Sequence, residues 1–462
     1  MIAGRDELRR AARSIFDATL AHADARLAVR RALNFTGGRL NIFDTEFDLR
    51  DASRAVYSIA VGKAGEAMAS ALDEVLGDAL AGGVVSTPPL NHPSRARLSK
   101  RWRTFAGGHP LPNEASLDAA RAAFALLHEA DAQANALVIF LISGGGSAML
   151  EWPRDESITL AELQAANRAL VSCGAEINEI NSVRRAFSSV KGGGLSARAG
   201  RAAQVSLIIS DTNRDEPFNV ASGLTYAFPP SSHAPPDPAE IIERYKLASS
   251  LPASILRAVK QTHARPEAST YAPLPLRLHH VLLDNESALE HAAATASALG
   301  FASEIAGDVC EGSVEAGTAT LVSRLFDLRE REGMNGRPLC LISGGEFSCP
   351  VRGAGVGGRN AETVLRCAFE IEARAAHTSS GAPIHVVALS AGTDGIDGNS
   401  PAAGALCDET TLSRARALSL DARKFLEASD AHTFFAALGD AIHTGATGTN
   451  VRDLRLLLCE SK

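Results

Sequence analysis

Apolar residues in this chain fall into short unbroken runs. The clearest is Leu137–Ile142, six consecutive apolar residues stopped by Ser143. Four of the six favour strands, so the run predicts a short strand buried on both faces. Ala55–Val61, Gly82–Ser86, Val205–Ile209, Leu278–Leu283, Leu339–Ser343 and His385–Ser390 predict further strands. Between them, residues 65–76, 116–130, 287–300 and the stretch from Ala361 carry helical spacing. Thr159-x-x-Glu162 is a capping box that opens a helix ending near Cys173-Gly174. This alternation predicts parallel α/β sheets with the chemistry at strand ends. Residues 1–33 predict an amphipathic surface helix. They lack the apolar core of a signal peptide, and Asp6, Glu7 and Asp17 argue against a transit peptide. No apolar run approaches the ~18–20 residues that span a bilayer.

Glycine punctuates the strand ends. Gly144, Gly145 and Gly146 follow Ser143, and the pentapeptide LISGG occurs at both 141–145 and 341–345. Without a Cβ, such turns let backbone N–H groups approach an anion closely. Two halves that each end a central strand in a glycine turn predict a cleft between them. The first turn is not a Walker loop, because Ser147, Ala148 and Met149 stand where Lys-Ser/Thr is needed. It is not a nucleophile elbow either, because Met149 stands where glycine is required. Gly353–Gly358 formally contains G-x-G-x-x-G, the basis of an alternative dinucleotide-binding reading. The acids at the expected distance, Glu370 and Glu372, fall in a predicted helix, and Asp394 is too far away.

At 462 residues two domains are expected, and five prolines in residues 228–238 mark the linker. The predicted domains are therefore 1–238 and 239–462. The net charge of −7 is spread along the chain, which points away from nucleic-acid and membrane surfaces. An anionic substrate then needs local cations, and Lys63, Arg184, Arg185, Lys191 and Arg359 lie in or beside glycine-bearing turns. Five such residues at strand or loop ends suit phosphoryl transfer, which is mostly positioning and charge neutralisation. Asp211, Asp215, Glu216, Asp394 and Asp397 sit in short acidic loops, and Mg²⁺ takes one or two carboxylates together with water and phosphate oxygens. Histidines show no metal-ligand spacing. Seven cysteines without a CxxC pair fit a reducing cytoplasm.

These segments together resemble the class II glycerate kinases, the glycerate 2-kinase family with a C-terminal MOFRL domain. The matching pieces include AVGKA (60–64), GGHPLPNEASL (107–117), LISGGGSAML (141–150), NEINSVRRAFSSVKGG (178–193), ISD (209–211), LISGGE (341–346), GGRN (357–360), AGTDGIDG (391–398) and TGATGTNVRDL (444–454). They run in order over nearly the whole chain, with the MOFRL region at about 338–456. The resemblance implies transfer of the γ-phosphate of ATP to the 2-hydroxyl of D-glycerate with a divalent cation. It also implies a cleft between a Rossmann-like N-terminal domain and a C-terminal α/β domain. The family's active-site lysine, aspartate and arginine fall on Lys63, Asp211 and Arg359. Physically, Lys63 suits phosphate charge, Asp211 the substrate hydroxyl or the metal, and Arg359 a carboxylate or the transition-state charge. Gly144, Gly145, Gly146 and Ser147, with Lys191, Gly344, Gly345 and Asp394, are the candidate nucleotide contacts. Asp211, Asp215 and Asp397 are the candidate metal ligands.

The chain departs from the family where it reads SDTNRDEPFNVASGLT from Ser210 and GTDGIDGNSPAAGA from Gly392, with Pro401 where an aspartate is common. These changes cluster at predicted site loops and leave the hydroxy acid open. Three readings follow: an ATP-dependent kinase of glycerate or a close 2-hydroxy acid, an NAD(P)-dependent hydroxypyruvate reductase, and a catalytically silent nucleotide-binding relative. The expected partners are small molecules, and a homo-oligomer is compatible with the sequence.

Overall fold

The strand Leu137–Ser143 is buried along all seven residues, and it lies between two parallel neighbours, as a wholly apolar strand in a doubly covered sheet must. The computed structural model describes residues 4–50, 54–89, 98–133, 135–212, 216–226, 236–263, 275–332, 336–375 and 384–461. They form two compact units, Ala25–Leu282 and Met1–Asp24 with Leu283–Lys462. The division therefore does not fall at Pro238. Most of the proline-rich stretch, up to residue 235, lies outside the described residues.

The chain opens with helix α1 (Arg5–His22), which belongs to the second unit. The first unit begins with α2 (Ala25–Ala32) and a small antiparallel sheet of β1 (Leu33–Thr36), β2 (Arg39–Ile42) and β3 (Thr45–Asp48). Its main sheet holds β4 (Val56–Val61), β5 (Leu80–Thr87), β6 (Trp102–Ala106), β7 (Leu137–Ser143), β8 (Ala203–Ile209) and β9 (Arg277–Leu283), in the order β6-β5-β4-β7-β8-β9. Every pairing from β6 to β8 is parallel. The order reverses between β4 and β7, which is the topological switch point of a Rossmann-type sheet, and ligands bind outside the carboxyl ends of strands at such a point. Helices α3 (Gly65–Leu76) and α4 (Glu114–Ala132) make the crossovers around β5 and β6. A short helix α5 (Gly146–Met149) leaves the glycine turn directly.

Four helices form a separate layer: α6 (Leu160–Ser172), α7 (Ile177–Phe187), α8 (Pro238–Arg244) and α9 (Ala253–His263). Leu163, Leu170, Val183, Phe187, Ile241 and Ile255 fill the space between them. This packing is why α8 and α9 belong to the first unit although they follow the proline-rich stretch. The capping box of α6 forms as read: the Thr159 side chain accepts from Glu162 N–H, and the Glu162 side chain accepts from Thr159 N–H.

The second unit carries α10 (Asn285–Ala298), β10 (Ala302–Ile305), α11 (Val314–Glu332), β11 (Leu339–Ser343), α12 (Arg359–Ala375), β12 (Val386–Gly392), β13 (Gly404–Asp408), β14 (Ala441–Ile442) and β15 (Asp453–Cys459). Here the expectation of parallel pairing fails. Only β10 and β11 pair in parallel; β15 inserts antiparallel between β11 and β12, and β12, β13 and β14 pair antiparallel. The glycine-bearing loop 393–403 returns the chain without a crossover helix, which an antiparallel neighbour does not need. Helix α1 lies on one face of this sheet, where Leu8, Ala12, Ile15 and Phe16 pack with Leu289, Leu389 and Leu456. The apolar stripe read from the sequence thus covers the C-terminal sheet. No described helix is long and apolar enough to cross a membrane.

Candidate functional site

In the first unit, three adjacent strand ends converge. Gly62 closes β4 at φ +108°, and a Cβ there would lie 2.3 Å from the Ser143 carbonyl oxygen, so only glycine fits. Ser143 Oγ accepts the Ala64 N–H at 3.0 Å and donates to the Val61 carbonyl at 3.3 Å. Lys63 N–H donates to the Gly144 carbonyl at 2.9 Å. These bonds fix the backbone of the half-buried Lys63 against the glycine turn. Asp211, two residues past β8, rests its carboxylate on the same turn: a Cβ at Gly144 would fall 1.9 Å from Asp211 Oδ2. Lys63, Gly144 and Asp211 therefore meet at the switch point. Gly145, at φ +81°, turns the chain into α5 and lies beside the His109 ring.

A polar network that the sequence reading did not single out braces this turn. Ser147 Oγ is 2.8 Å from Ser222 Oγ, which donates to Asn181 Oδ1 at 2.7 Å. Ala221 and Ser222 hold left-handed backbone at φ 51° and 60°, a strain that needs support from its surroundings. Arg185 supplies it, donating to the Ser222 carbonyl at 3.3 Å and to Asn219 Oδ1 at 3.1 Å. Burial pushes the Arg185 guanidinium down to about 10. Arg184 donates to Asn167 Oδ1 at 2.9 Å. Both arginines, expected at an anion site, hold protein groups.

Lys191 is corrected in the same way. It is 1% exposed and its ammonium pairs with Glu151, whose other oxygen accepts Ser188 Oγ at 2.5 Å. Burial lowers its pKa and Glu151 opposes that shift. This pairing makes Lys191 an internal brace and not the nucleotide contact expected from its glycine-rich setting. Asp215 lies outside the described residues.

The second unit repeats the strand-to-glycine-turn geometry but fills it with its own groups. Gly345, at φ +79°, donates its N–H to Asn285 Oδ1 at 2.9 Å, and the Gly344 carbonyl accepts from Arg455, whose guanidinium lies 3.6 Å from the Phe347 ring centroid. Arg359 opens α12. Its Nε and Nη2 donate to Asp453 at 2.5 and 3.1 Å, and Nη2 also lies 2.9 Å from Glu346 Oε1. Asn360 Nδ2 donates to the same Asp453 at 3.0 Å. Asp453 escaped the sequence reading although it stands inside the quoted TNVRDL tail.

Asp394 Oδ1 accepts the Ile396 N–H at 3.1 Å, a local turn bond. Asp397, expected to bind metal, is corrected. It is 2% exposed, and its two oxygens accept the Asn360 and Ala361 N–H groups at 2.9 and 2.8 Å, capping α12. Burial pushes this carboxyl up to about 6 against the pull of those two bonds. Among the described residues no group of three His, Cys, Asp or Glu could hold a metal.

Residues 11–260 match the family described as "Domain of unknown function (DUF4147)", and residues 339–453 match the MOFRL family. Human Glycerate kinase is 36% identical, over 96% of this chain and 92% of its own length. An Agrobacterium vitis protein provisionally named hydroxypyruvate reductase is also 36% identical, over 97% of this chain and 94% of its own. The crystal structure of Glycerate kinase from Thermotoga maritima superposes with a TM-score of 0.78 at 29% identity, covering 98% of this chain and 100% of that one.

Proposed function

Because this chain belongs to the class II glycerate kinase family, and is a kinase, we propose that it transfers the γ-phosphoryl group of ATP to the 2-hydroxyl of D-glycerate or a closely related 2-hydroxy acid, with Mg²⁺. The observation that carries this reading is the Asp211 carboxylate seated on Gly144 beside Lys63 at the switch point of the sheet. In this proposal the Lys63 ammonium neutralises phosphate charge, and the Gly144–Ser147 turn offers backbone donors to phosphate oxygens. Asp211 accepts the proton of the attacking hydroxyl or helps to hold Mg²⁺. One carboxylate is enough for that ion, because water and phosphate oxygens supply its other ligands. Arg359 would grip the substrate carboxylate or the phosphoryl charge.

A dinucleotide reading has less support. Gly353 follows Ser343, the end of β11, by ten residues, whereas the fingerprint needs its glycines in the tight turn between strand and helix. Cβ atoms on Gly353 and Gly355 would instead lie 2.6 Å from the Ala428 carbonyl oxygen. These glycines serve loop packing.

The test is ADP release with D-glycerate, ATP and Mg²⁺, together with ³¹P NMR of the product. The expected product is 2-phosphoglycerate, with turnover abolished in Lys63→Ala. No turnover across a panel of small 2-hydroxy acids would end the proposal, and NADH oxidation with hydroxypyruvate would favour the reductase.

A further inference from the structure

The Arg359 guanidinium is held by two carboxylates of very different exposure. Asp453, with a side chain 2% exposed, takes the edge formed by Nε and Nη2, and Asn360 anchors it from the other side. Glu346, 37% exposed, reaches Nη2 from the end of the Gly344-Gly345 turn. An arginine offers five N–H donors in a rigid fork, so it can keep one carboxylate on one edge while exchanging another at its free end. Glu346 at Nη2 therefore competes with an arriving anion for the same donor.

Resting on the reading of Arg359 as an anion-binding group, we propose that Glu346 is a built-in stand-in for the substrate. Its carboxylate occupies the outer end of the Arg359 fork and is displaced by a substrate oxyanion, while Asp453 stays in place and sets the fork's direction. Asp453 is then a positioning residue, and Glu346 sets how strongly an oxyanion must bind in order to enter. The incoming group is a carboxylate or a phosphoryl oxyanion. The fork accepts both, and their sources, the hydroxy acid and the nucleotide, can be titrated separately.

The experiment is calorimetric titration of D-glycerate, and separately of ATP with Mg²⁺, into the full-length wild type and its Glu346→Gln, Asp453→Asn and Arg359→Gln variants. Glu346→Gln keeps the side chain's size and removes its charge, so it should tighten one of the two ligands about two- to fivefold. The ligand that tightens identifies the oxyanion. Asp453→Asn should weaken the same ligand about tenfold or more, because it leaves the guanidinium poorly oriented. Opposite signs from two acids on one arginine are not expected of general structural damage. Should Asp453→Asn fail to fold, the half-exposed Glu346 variant decides alone. Unchanged or weaker binding of both ligands to Glu346→Gln overturns the proposal, including the case in which only Mg²⁺-dependent ATP binding weakens. Unchanged affinities in Arg359→Gln would instead remove the reading of Arg359 on which the proposal rests.

Discussion

The carboxylate of Asp397 accepts the backbone N–H of Ala361 at 2.8 Å, capping a helix from 36 residues further along the chain. With the Asn360 bond, it satisfies two of the orphan donors in the first turn of α12 and so fixes the helix that begins with Arg359.

Replacing Asp397 with alanine should cost the second unit about 1–2 kcal/mol, the upper range for an N-cap. Its pH dependence has a definite sign. Burial raises the folded carboxyl to about 6, above the ordinary value of 3.8, so the folded state holds the proton more tightly than the unfolded one. The contribution of Asp397 is therefore complete below about pH 4 and falls as pH rises towards 6. Unfolding by far-UV circular dichroism at several pH values should show this slope in the wild type and its loss in Asp397→Asn.

Gly144 and Asp211 form a steric pair. A methyl group at Gly144 would stand 1.9 Å from Asp211 Oδ2, so Gly144→Ala must push the carboxylate aside. A misplacement of this order can lower kcat about 100-fold. The substitution should add little to Asp211→Asn, because both remove the same placed carboxylate. Steady-state kinetics of the two single variants and the double variant check this. Both tryptophans, Trp102 and Trp152, lie in the first unit, so their fluorescence reports whether that unit still folds.

Much of this site is local in sequence and therefore readable. The apolar run to Ser143, the glycines after it and the Thr159–Glu162 box each specify structure within a few residues. What could not be read is pairing across long separations. Lys191 among glycines has the pattern of a phosphate ligand until Glu151, 40 residues earlier, is placed against it. The antiparallel insertion of β15 leaves no mark in an apolar run that would suit either direction. The stripe on α1 announces that it covers something, but only the fold says that this is the C-terminal sheet. Asp453 lay in plain sight within a motif, yet its role required Arg359, 94 residues away.

The Lys191–Glu151 pair gives a prediction about stability. Both side chains are 1% exposed, so Lys191→Met leaves a buried carboxylate without its cation, a change that costs about 3–5 kcal/mol. Replacing both partners with apolar residues should recover much of that loss, since the desolvation of both charges then disappears. Glu151 Oε1 also accepts the backbone N–H of Trp152 at 3.0 Å, and that neighbouring indole makes tryptophan fluorescence a convenient measure of the transition. Equal destabilisation by the single and double changes would show that packing, not charge, is what the pair provides.

Arg9 ties α1 to the rest of the second unit through charge as well as apolar contact. Its guanidinium pairs with both Asp408 and Asp440, which are 2% and 3% exposed, and Arg414 reaches Asp440 at 2.5 Å. Burial alone would raise the Asp408 carboxyl, but hydrogen bonds from Thr410 and the charges of Arg9 and Arg414 prevail and hold it below its ordinary range. A carboxyl depressed in the fold stabilises above its unfolded pKa, and that stability is lost as pH falls into the acid range. Arg9→Met keeps the packing stem and removes the charge. It should cost about 1–3 kcal/mol at neutral pH, because Arg414 still satisfies part of the acidic pair. The deficit should shrink on acidification, since the wild type then loses the same interaction. Denaturant unfolding of both proteins at neutral and acid pH, followed by far-UV circular dichroism, measures it; a deficit that stays constant with pH would assign the role of Arg9 to packing.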